Sequence, residues 1–493
     1  MMSQKYYFDP HKPFDQKAGI FVHHHGASVF PTVNLDNYKG YINNSLDLVE
    51  EMGYHHISSP FTHISNYDSE FVTVLQYLVD EAGKRGISVM VIAQGSQNKL
   101  SEVDANIDAE KYLQVMTQFI IANAGKSLIY SGINEPNSGT WYGQNNMAGY
   151  RKAIQWDNRL KKIIKYYDPT ATFVEAVLSP KFGIPLIKEG LIDGGAYAMH
   201  PYTTNIGNKG HNVPEDQFLE ATYATGFAGK TFAMTEFGIA SEYDGTDPED
   251  DWQGVVSPEE AGALTVRQMI IHDALGAPMQ YNFILGYLYV FKKYQFFDLN
   301  RNITPTGQAV KNALYELKGF YFDSWLWADV GEHQTYIAKY VGDNDTKFVF
   351  WNADGVSSDI KVGSNTLFAT SEPRYTTTNL AASVNTLIVQ TPPGLKTIDI
   401  KLLPVNKSVP LQLPNVDGYQ HNEVNATLDG TGKLTLEGDI IYRKADEQGL
   451  KVQAKKLQGS FSQLRLKSPD GSIWQAAVTD GKIFWLKNQG IVL

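Results

Sequence analysis

A chain of 493 residues with 43% hydrophobic side chains can bury large cores, enough for about two to four domains. Its formal charge of −11, from 42 basic against 53 acidic side chains, argues against nucleic acid or an anionic membrane as partner of the whole molecule and favours a neutral one. With no cysteine, disulfides, thiolate catalysis and cysteine metal sites are excluded.

The N-terminal stretch MMSQKYYFDPHKPFDQ lacks the apolar segment of a signal peptide, and no later apolar run approaches the ~18 residues of a membrane span. Membrane insertion is therefore not expected. The location stays open between the cytoplasm and a virion-associated or extracellular site reached by another route.

From Ala18 to about Phe320, short apolar runs alternate with amphipathic stretches. The runs are AGIFVHHH (18–25), HHISSP (55–60), ISVMVIAQ (87–94), KSLIYSGIN (126–134), ATFVEAVL (171–178), GGAYAMH (194–200), KTFAMTEF (230–237) and APMQYNFIL (277–285). Several are almost continuously apolar, as parallel strands buried on both faces must be. In EFVTVLQYLVDEAGKRG, Phe71, Val74, Leu75, Leu78, Val79 and Ala82 fall on one helical face, and Gly86 ends the helix. SPEEAGALTVRQMIIHDALG opens with Ser257, Pro258 and Glu260 in capping order, and TPTGQAVKNALYELKG opens with Thr304 before Pro305.

Eight strand and helix repeats in about 300 residues predict an α/β fold, a (β/α)8 TIM barrel over residues 1–322. A doubly wound open sheet competes, but the first strand ends in HHHGASVF and not in a glycine-rich phosphate turn. After about Asp323 the pattern changes to short alternating runs separated by GDND, NADG, GSN and PPG, which predicts an antiparallel β-sandwich over 323–405. A linker is expected at 406–417 and a small β-rich module at 418–493.

A barrel of this kind carries its site where strands end and the following loops begin. Those positions hold His23 and His25, Gln94, Asn134 with Glu135, His200 with Tyr202, Glu236, and Tyr281 with Asn282 and Phe283. Two carboxylates thus reach one face from the fourth and seventh strands. Such a pair suits cleavage of a glycosidic bond, in which one carboxylic acid protonates the departing oxygen and the other stabilises or attacks the sugar carbon. Glu135 is the expected acid/base, held protonated by partial desolvation and by its neighbour's charge, and Glu236 the expected nucleophile.

Trp141 and Trp252 lie on the loops after these strands, where aromatic rings would stack on sugar faces; buried packing is the competing role. The run His23 to His25 invites a metal reading, but alternation puts only His23 and His25 on one face, and no third ligand is evident. Packing, or contact of His25 with the sugar, competes with it. The acidic loop EYDGTDPEDDWQG (242–254) matches no calcium-loop spacing and reads as a solvated loop. No metal or other cofactor is expected.

GINEPN at the fourth strand, HPY at the sixth and MTEFG at the seventh, in this order on eight repeats, resemble the clan A glycoside hydrolases, retaining barrel enzymes. The resemblance covers roughly residues 15–320. It implies that Asn134 binds the sugar hydroxyl beside the reacting carbon, that Tyr202 bonds the nucleophile and that His200 lines the site. Two places depart from the pattern. HHISSPF supplies no arginine at the second strand, leaving His56, Ser58 or Ser59 there. MQYNFIL supplies no tryptophan at the eighth, leaving Tyr281 or Phe283.

Residues 451–493 hold seven Lys or Arg against two Asp. The segment LRLKSPDGSIWQAAVTDGKIFWL is similar to short β modules of phage tail and baseplate proteins, which implies virion or cell-surface association; an ordinary carbohydrate-binding or packing module accounts for it equally well. The expected function is a retaining glycoside hydrolase on an oligo- or polysaccharide. A non-catalytic sugar-gripping tail protein and a transglycosidase are the alternatives.

Overall fold

The computed structural model describes residues 11–23, 35–61, 69–93, 102–135, 147–175, 186, 189–191, 196–202, 214–215, 231–242, 255–286, 291–328, 335–353, 355, 357–362 and 365–377. Beyond these it describes the strands 386–390, 398–401, 408–411, 424–428, 434–437, 457–459, 464–467, 473–479 and 482–488.

The eight apolar runs all become strands of one parallel sheet: β1 Ala18–Phe21, β2 His56–Pro60, β3 Ser88–Ala93, β4 Ile129–Ile133, β5 Thr172–Val174, β6 Ala196–Met199, β7 Thr231–Phe237 and β8 Gln280–Asn282. Their order is β5-β4-β3-β2-β1-β8-β7-β6. Because β1 pairs in parallel with both β2 and the last strand β8, the sheet curls into a barrel, and the doubly wound alternative falls away. β1, β2, β4 and β5 are buried along their whole length, which is why they carry no polar alternation. Gly19 is required by this curvature: a Cβ there would come within 2.5 Å of the Tyr281 ring.

A short helix, α1 (Phe14–Lys17), precedes the barrel. Around it run α2 (Leu35–Met52), α3 (Ser69–Lys84), α4 (Glu102–Ala122), α5 (Met147–Tyr167), α6 (Pro258–Ala274) and α7 (Pro305–Glu316). The connections after β5 and β6 fall mostly outside the described residues. The sequence signals at helix ends are realised. Gly86 takes a left-handed φ of +73° beyond α3, Ser257 Oγ accepts from Glu260 N–H at the start of α6, and Thr304 Oγ1 accepts from Gly307 N–H at the start of α7. Residues 261–273 of α6 are buried without a break, so this helix is wrapped on every side.

Residue 322 marks a change of secondary structure, but the core runs on past it. The strands β9 (Tyr321–Ala328), β10 (Thr335–Val341), β11 (Thr346–Asn352) and β14 (Arg374–Thr376) form an antiparallel sheet. Its Tyr336, Tyr340, Val349 and Trp351 belong to the same buried cluster as Phe14 and Val310 of the barrel. The Phe14 and Tyr340 rings meet edge to face at 6.0 Å, and Lys17 forms a buried ion pair with Asp273 at the end of α6.

A second antiparallel sheet contains β12 (Ser358–Val362), β13 (Asn365–Ala369), β15 (Thr386–Gln390) and β16 (Ile398–Lys401). These two sheets are the material expected for the sandwich. Further on lie the sheet β17 (Ser408–Leu411), β18 (Val424–Leu428), β19 (Leu434–Glu437) and β20 (Leu457–Gly459), and the sheet β21 (Leu464–Lys467), β22 (Ile473–Thr479) and β23 (Lys482–Asn488). The stretch expected as a linker therefore contributes a strand, β17, paired with β18. Among the described residues no helix is long and apolar enough to cross a membrane.

A chain ending at residue 322 strips Tyr336, Tyr340 and Trp351 from the core of the barrel and is expected to be unfolded or molten by near-UV circular dichroism, whereas one ending at residue 377 keeps the barrel's tertiary signal. Equal folding of the two would show that the barrel core is independent of the sheet.

Candidate active site

Three strand ends build the site, and each leaves regular β geometry to do so. In β4 the pairing with β3 slips at Ala93, so that Ser131 faces Ile92 while Ile133 faces Ala93. β7 carries an extra residue between Met234 and Phe237 against β8. Bulges of this kind re-aim the next side chain. At the exit of β4 the freed Ile133 N–H donates to the buried Asp157 Oδ1 of α5 at 2.9 Å, and Asn134 N–H donates to Ala93 O at 2.8 Å. Glu135 then takes a left-handed φ of +43° directly before Pro136. For a non-glycine residue that conformation costs about 1–3 kcal/mol and persists only where the surroundings impose it.

The third strand end is a turn. Tyr202 N–H donates to His200 O at 2.9 Å, a three-residue turn centred on Pro201, whose ring already restricts φ to the range required. It sends His200 and Tyr202 to different carboxylates. His200 Nδ1 lies 2.8 Å from Glu135 Oε1 and 3.9 Å from Glu236 Oε2. The Tyr202 hydroxyl donates to Glu236 Oε1 at 2.6 Å.

One donor atom from each of Glu135, His200 and Glu236 lies within 4.8 Å of the others. The side chain of Glu135 is 38% exposed, that of Glu236 13% and that of His200 5%. Glu135 thus stands at the open side of the cluster and Glu236 at its floor. Among the described residues this is the cluster close enough to share a metal ion, but its members are already engaged with one another and with Tyr202.

The electrostatics depart from the sequence expectation. Burial raises Glu135, but the hydrogen bond and positive charge of His200 outweigh it and hold this carboxyl below its ordinary value. Burial, with the Glu135 charge added, pushes Glu236 up despite His200 and Tyr202. His200 is opposed by burial, yet the Glu236 charge and the Glu135 bond raise it above 6.5. The expectation that Glu135 itself holds the proton is therefore corrected. The imidazolium sits 2.8 Å from that carboxylate and only 3.9 Å from the other, so it draws Glu135 down more strongly. Burial, and then the Glu236 charge, raise the Tyr202 hydroxyl well above its ordinary range, which keeps it a donor.

Other expected site residues fare differently. Asn134 is partly exposed, and its buried Oδ1 has no hydrogen-bond partner among the described residues. Tyr281 is fully buried with its ring against Gly19; it packs the barrel and does not front the cleft. His56 begins β2, at the opposite end from the site, and its Nε2 contacts Gln16 O at 2.8 Å. Burial lowers it to about 4, so it cannot take the place of an arginine cation. Ser59 donates to Val22 O at 2.6 Å, and Ser58 is buried. His23 stacks with Phe291 at 6.3 Å. His25, Gln94, Trp141 and Trp252, with most of the loop 242–254, lie outside the described residues.

The sequence reading passed over Asp157, Gln268, Phe291 and Tyr294. Asp157 had a visible signal, since it sits on the same helical stripe as Ile154, Leu160 and Ile164. The rings of Phe291, Phe283, Tyr294 and Tyr202 meet in sequence at 5.0, 5.8 and 6.0 Å, forming an aromatic wall beside the nucleophile candidate.

A scan of protein-family models finds no match to the chain, and a search of curated proteins finds none. Solved structures do resemble it. A family 39 glycoside hydrolase from the gut symbiont Bacteroides cellulosilyticus WH2 is 14% identical, with 74% of this chain and 81% of that one covered and a TM-score of 0.51. SrfJ from Salmonella typhimurium is 12% identical over 74% of this chain and 90% of that one, with a TM-score of 0.49. The GH53 catalytic domain of Ignisphaera aggregans is 15% identical over 62% and 97%, with a TM-score of 0.45. The chain shares the barrel fold of the first of these structures, in keeping with its own parallel eight-stranded sheet.

Because the raised Glu236 disfavours the folded state once ionised, its contribution is favourable below the unfolded-state value and is lost as pH rises through the folded one. A Glu236→Gln variant cannot ionise there. Its melting temperature relative to the parent is therefore expected to increase from pH 4 to pH 8. A difference that stays flat or shrinks across that range would contradict the electrostatic reading.

Proposed function

We propose that the protein is a retaining glycoside hydrolase acting on a neutral oligo- or polysaccharide, with Glu236 as nucleophile and Glu135 as acid/base. The observation that carries this reading is the carboxylate pair bridged by His200, whose donor atoms lie within 4.8 Å of one another. Retaining enzymes hold their carboxyl groups about 5–5.5 Å apart, whereas inverting ones leave about 6.5–9.5 Å for a water. The closer spacing supports double displacement.

In the first step the ionised Glu236, aligned by the Tyr202 hydroxyl, attacks the anomeric carbon. Its negative charge passes into the new bond, and the hold of Glu236 on the His200 proton weakens accordingly. The proton moves along the 2.8 Å contact to Glu135, which delivers it to the departing oxygen. In the second step Glu135, again a carboxylate, takes a proton from water as the water attacks the same carbon, releasing Glu236, and returns that proton to His200 to restore the starting state. Asn134 Oδ1 accepts from the neighbouring sugar hydroxyl, and the aromatic wall shields the reacting centre from water. His25, Trp141 and Trp252 are proposed as further sugar contacts on the loops around it. Tyr281, taken up by packing, is not. The C-terminal module is proposed to associate with a virion or a cell surface, on sequence likeness alone.

The test is release of reducing ends from a panel of neutral glycans. Glu236→Gln is expected to abolish turnover on any substrate found while remaining folded, and residual activity near the parent's would refute its role. Glu135→Gln is expected to slow substrates with poor leaving groups by roughly 10²–10⁴-fold while sparing activated aryl glycosides. Equal losses on both would exclude an acid role.

The pH profile should be bell-shaped. Its acid limb comes from protonation of the raised Glu236. Its alkaline limb, set by loss of the proton shared by His200 and Glu135, should lie above 6.5. An alkaline midpoint near 5, the range of an unassisted carboxyl, would contradict this proton inventory.

A further inference from the structure

We propose that Gln268, a residue of α6 outside the barrel, is a positioning residue that sets how His200 is shared between the two carboxylates; the inference deepens the glycosidase reading and rests on it. Gln268 is fully buried, and its Nε2 donates to Pro201 O at 2.6 Å. Pro201 is the centre of the turn from which His200 and Tyr202 diverge. A rotation of that turn therefore moves both side chains together, one relative to Glu135 and the other relative to Glu236. The contacts at stake are the 2.8 Å and 3.9 Å separations of His200 Nδ1 from the two carboxylates and the 2.6 Å bond from Tyr202. Their inequality determines which carboxylate the imidazolium favours.

The preceding residue grips the same stretch of chain further on. Arg267 donates through Nε to Glu215 Oε1 at 2.7 Å and through Nη2 to Glu215 Oε2 at 2.6 Å. It also donates to Ala353 O at 3.3 Å, while Trp351 Nε1 donates to Glu215 Oε1 at 2.8 Å. Glu215 lies beyond Tyr202 on the connection that leaves β6. Adjacent residues on the buried stretch of one helix thus hold that connection at Pro201 and at Glu215, with the antiparallel sheet bracing the second point. A glutamine amide makes a neutral clamp here: it satisfies a partly buried carbonyl and adds no charge to a cluster whose protons are already finely divided.

The test is a histidine-selective NMR titration of the full chain, with the His200 signal assigned by its disappearance in His200→Asn. It needs no substrate, so it stands even if no glycan is cleaved, and failure of the glycosidase reading remains distinguishable from failure of this one. Gln268→Met removes the donor at similar length, and Gln268→Asn withdraws it by one methylene should the apolar variant fold poorly.

The expected result is a His200 midpoint lowered by about half a pH unit or more, because a loosened turn weakens both carboxylate contacts and leaves burial to dominate. Where a substrate is known, kcat should fall about tenfold with KM changed less than about twofold, and the alkaline limb should move with the His200 midpoint. A His200 midpoint equal to the parent's in a folded variant would overturn the proposal, as would a loss of melting temperature with no change in pH profile.

Discussion

Two carboxylates, Glu236 largely buried and Glu135 partly exposed, have oxygens within 4.8 Å of each other and repel when both are ionised. The site is organised around this repulsion. One imidazole and one phenol offset it, His200 against both acids and Tyr202 against Glu236. Both come from a single turn about Pro201. The carboxylates themselves come from the two barrel strands whose regular pairing is interrupted. The bulges, the left-handed Glu135 and the proline-centred turn are departures from ideal β structure. Each lies where a side chain must be aimed at another in place of packing beside it.

Such aiming needs rigid support, and the barrel alone does not supply it. α6 is buried along its central length and carries in succession the Arg267 grip on Glu215 and the Gln268 bond to Pro201. The antiparallel sheet closes over the other side of that network through Trp351 and Ala353. A buried guanidinium and carboxylate gain little net stability against well-packed apolar residues, but they tolerate few alternative geometries. Their position, joining the sheet to the connection after β6, suits an element that specifies one arrangement of the cleft. The sheet is thereby part of the scaffold of the site.

The barrel was legible because parallel strands buried on both faces leave unbroken apolar runs, and because Ser257, Thr304 and Gly86 act through local chemistry that short sequence windows capture. The carboxylates and their partners were legible because strand ends were. Other features were not, for physical reasons. The bulges in β4 and β7 shift register by one residue and leave no mark in composition. Gln268 lies on a helix whose stretch 261–273 is buried on all sides, polar residues included, so periodicity singles out no face, whereas Asp157 did interrupt a stripe.

The proton order was misread because it depends on a distance difference, 2.8 against 3.9 Å, that no spacing in sequence encodes. Tyr281 was misplaced because whether a strand-end aromatic faces the cleft or packs the barrel turned on Gly19 of the adjacent strand. The boundary at 322 marked where helices stop, while the core runs on through Tyr340 and Trp351.

The central claim is that the two acids stand close enough for one to bond the sugar carbon while the other handles the proton. Proton NMR of the first sugar released, recorded before mutarotation, tests it most directly. The spacing of Glu135 and Glu236 predicts that the product first appears with the anomeric configuration of the substrate. A first-formed product of inverted configuration would place a water between them and contradict the account.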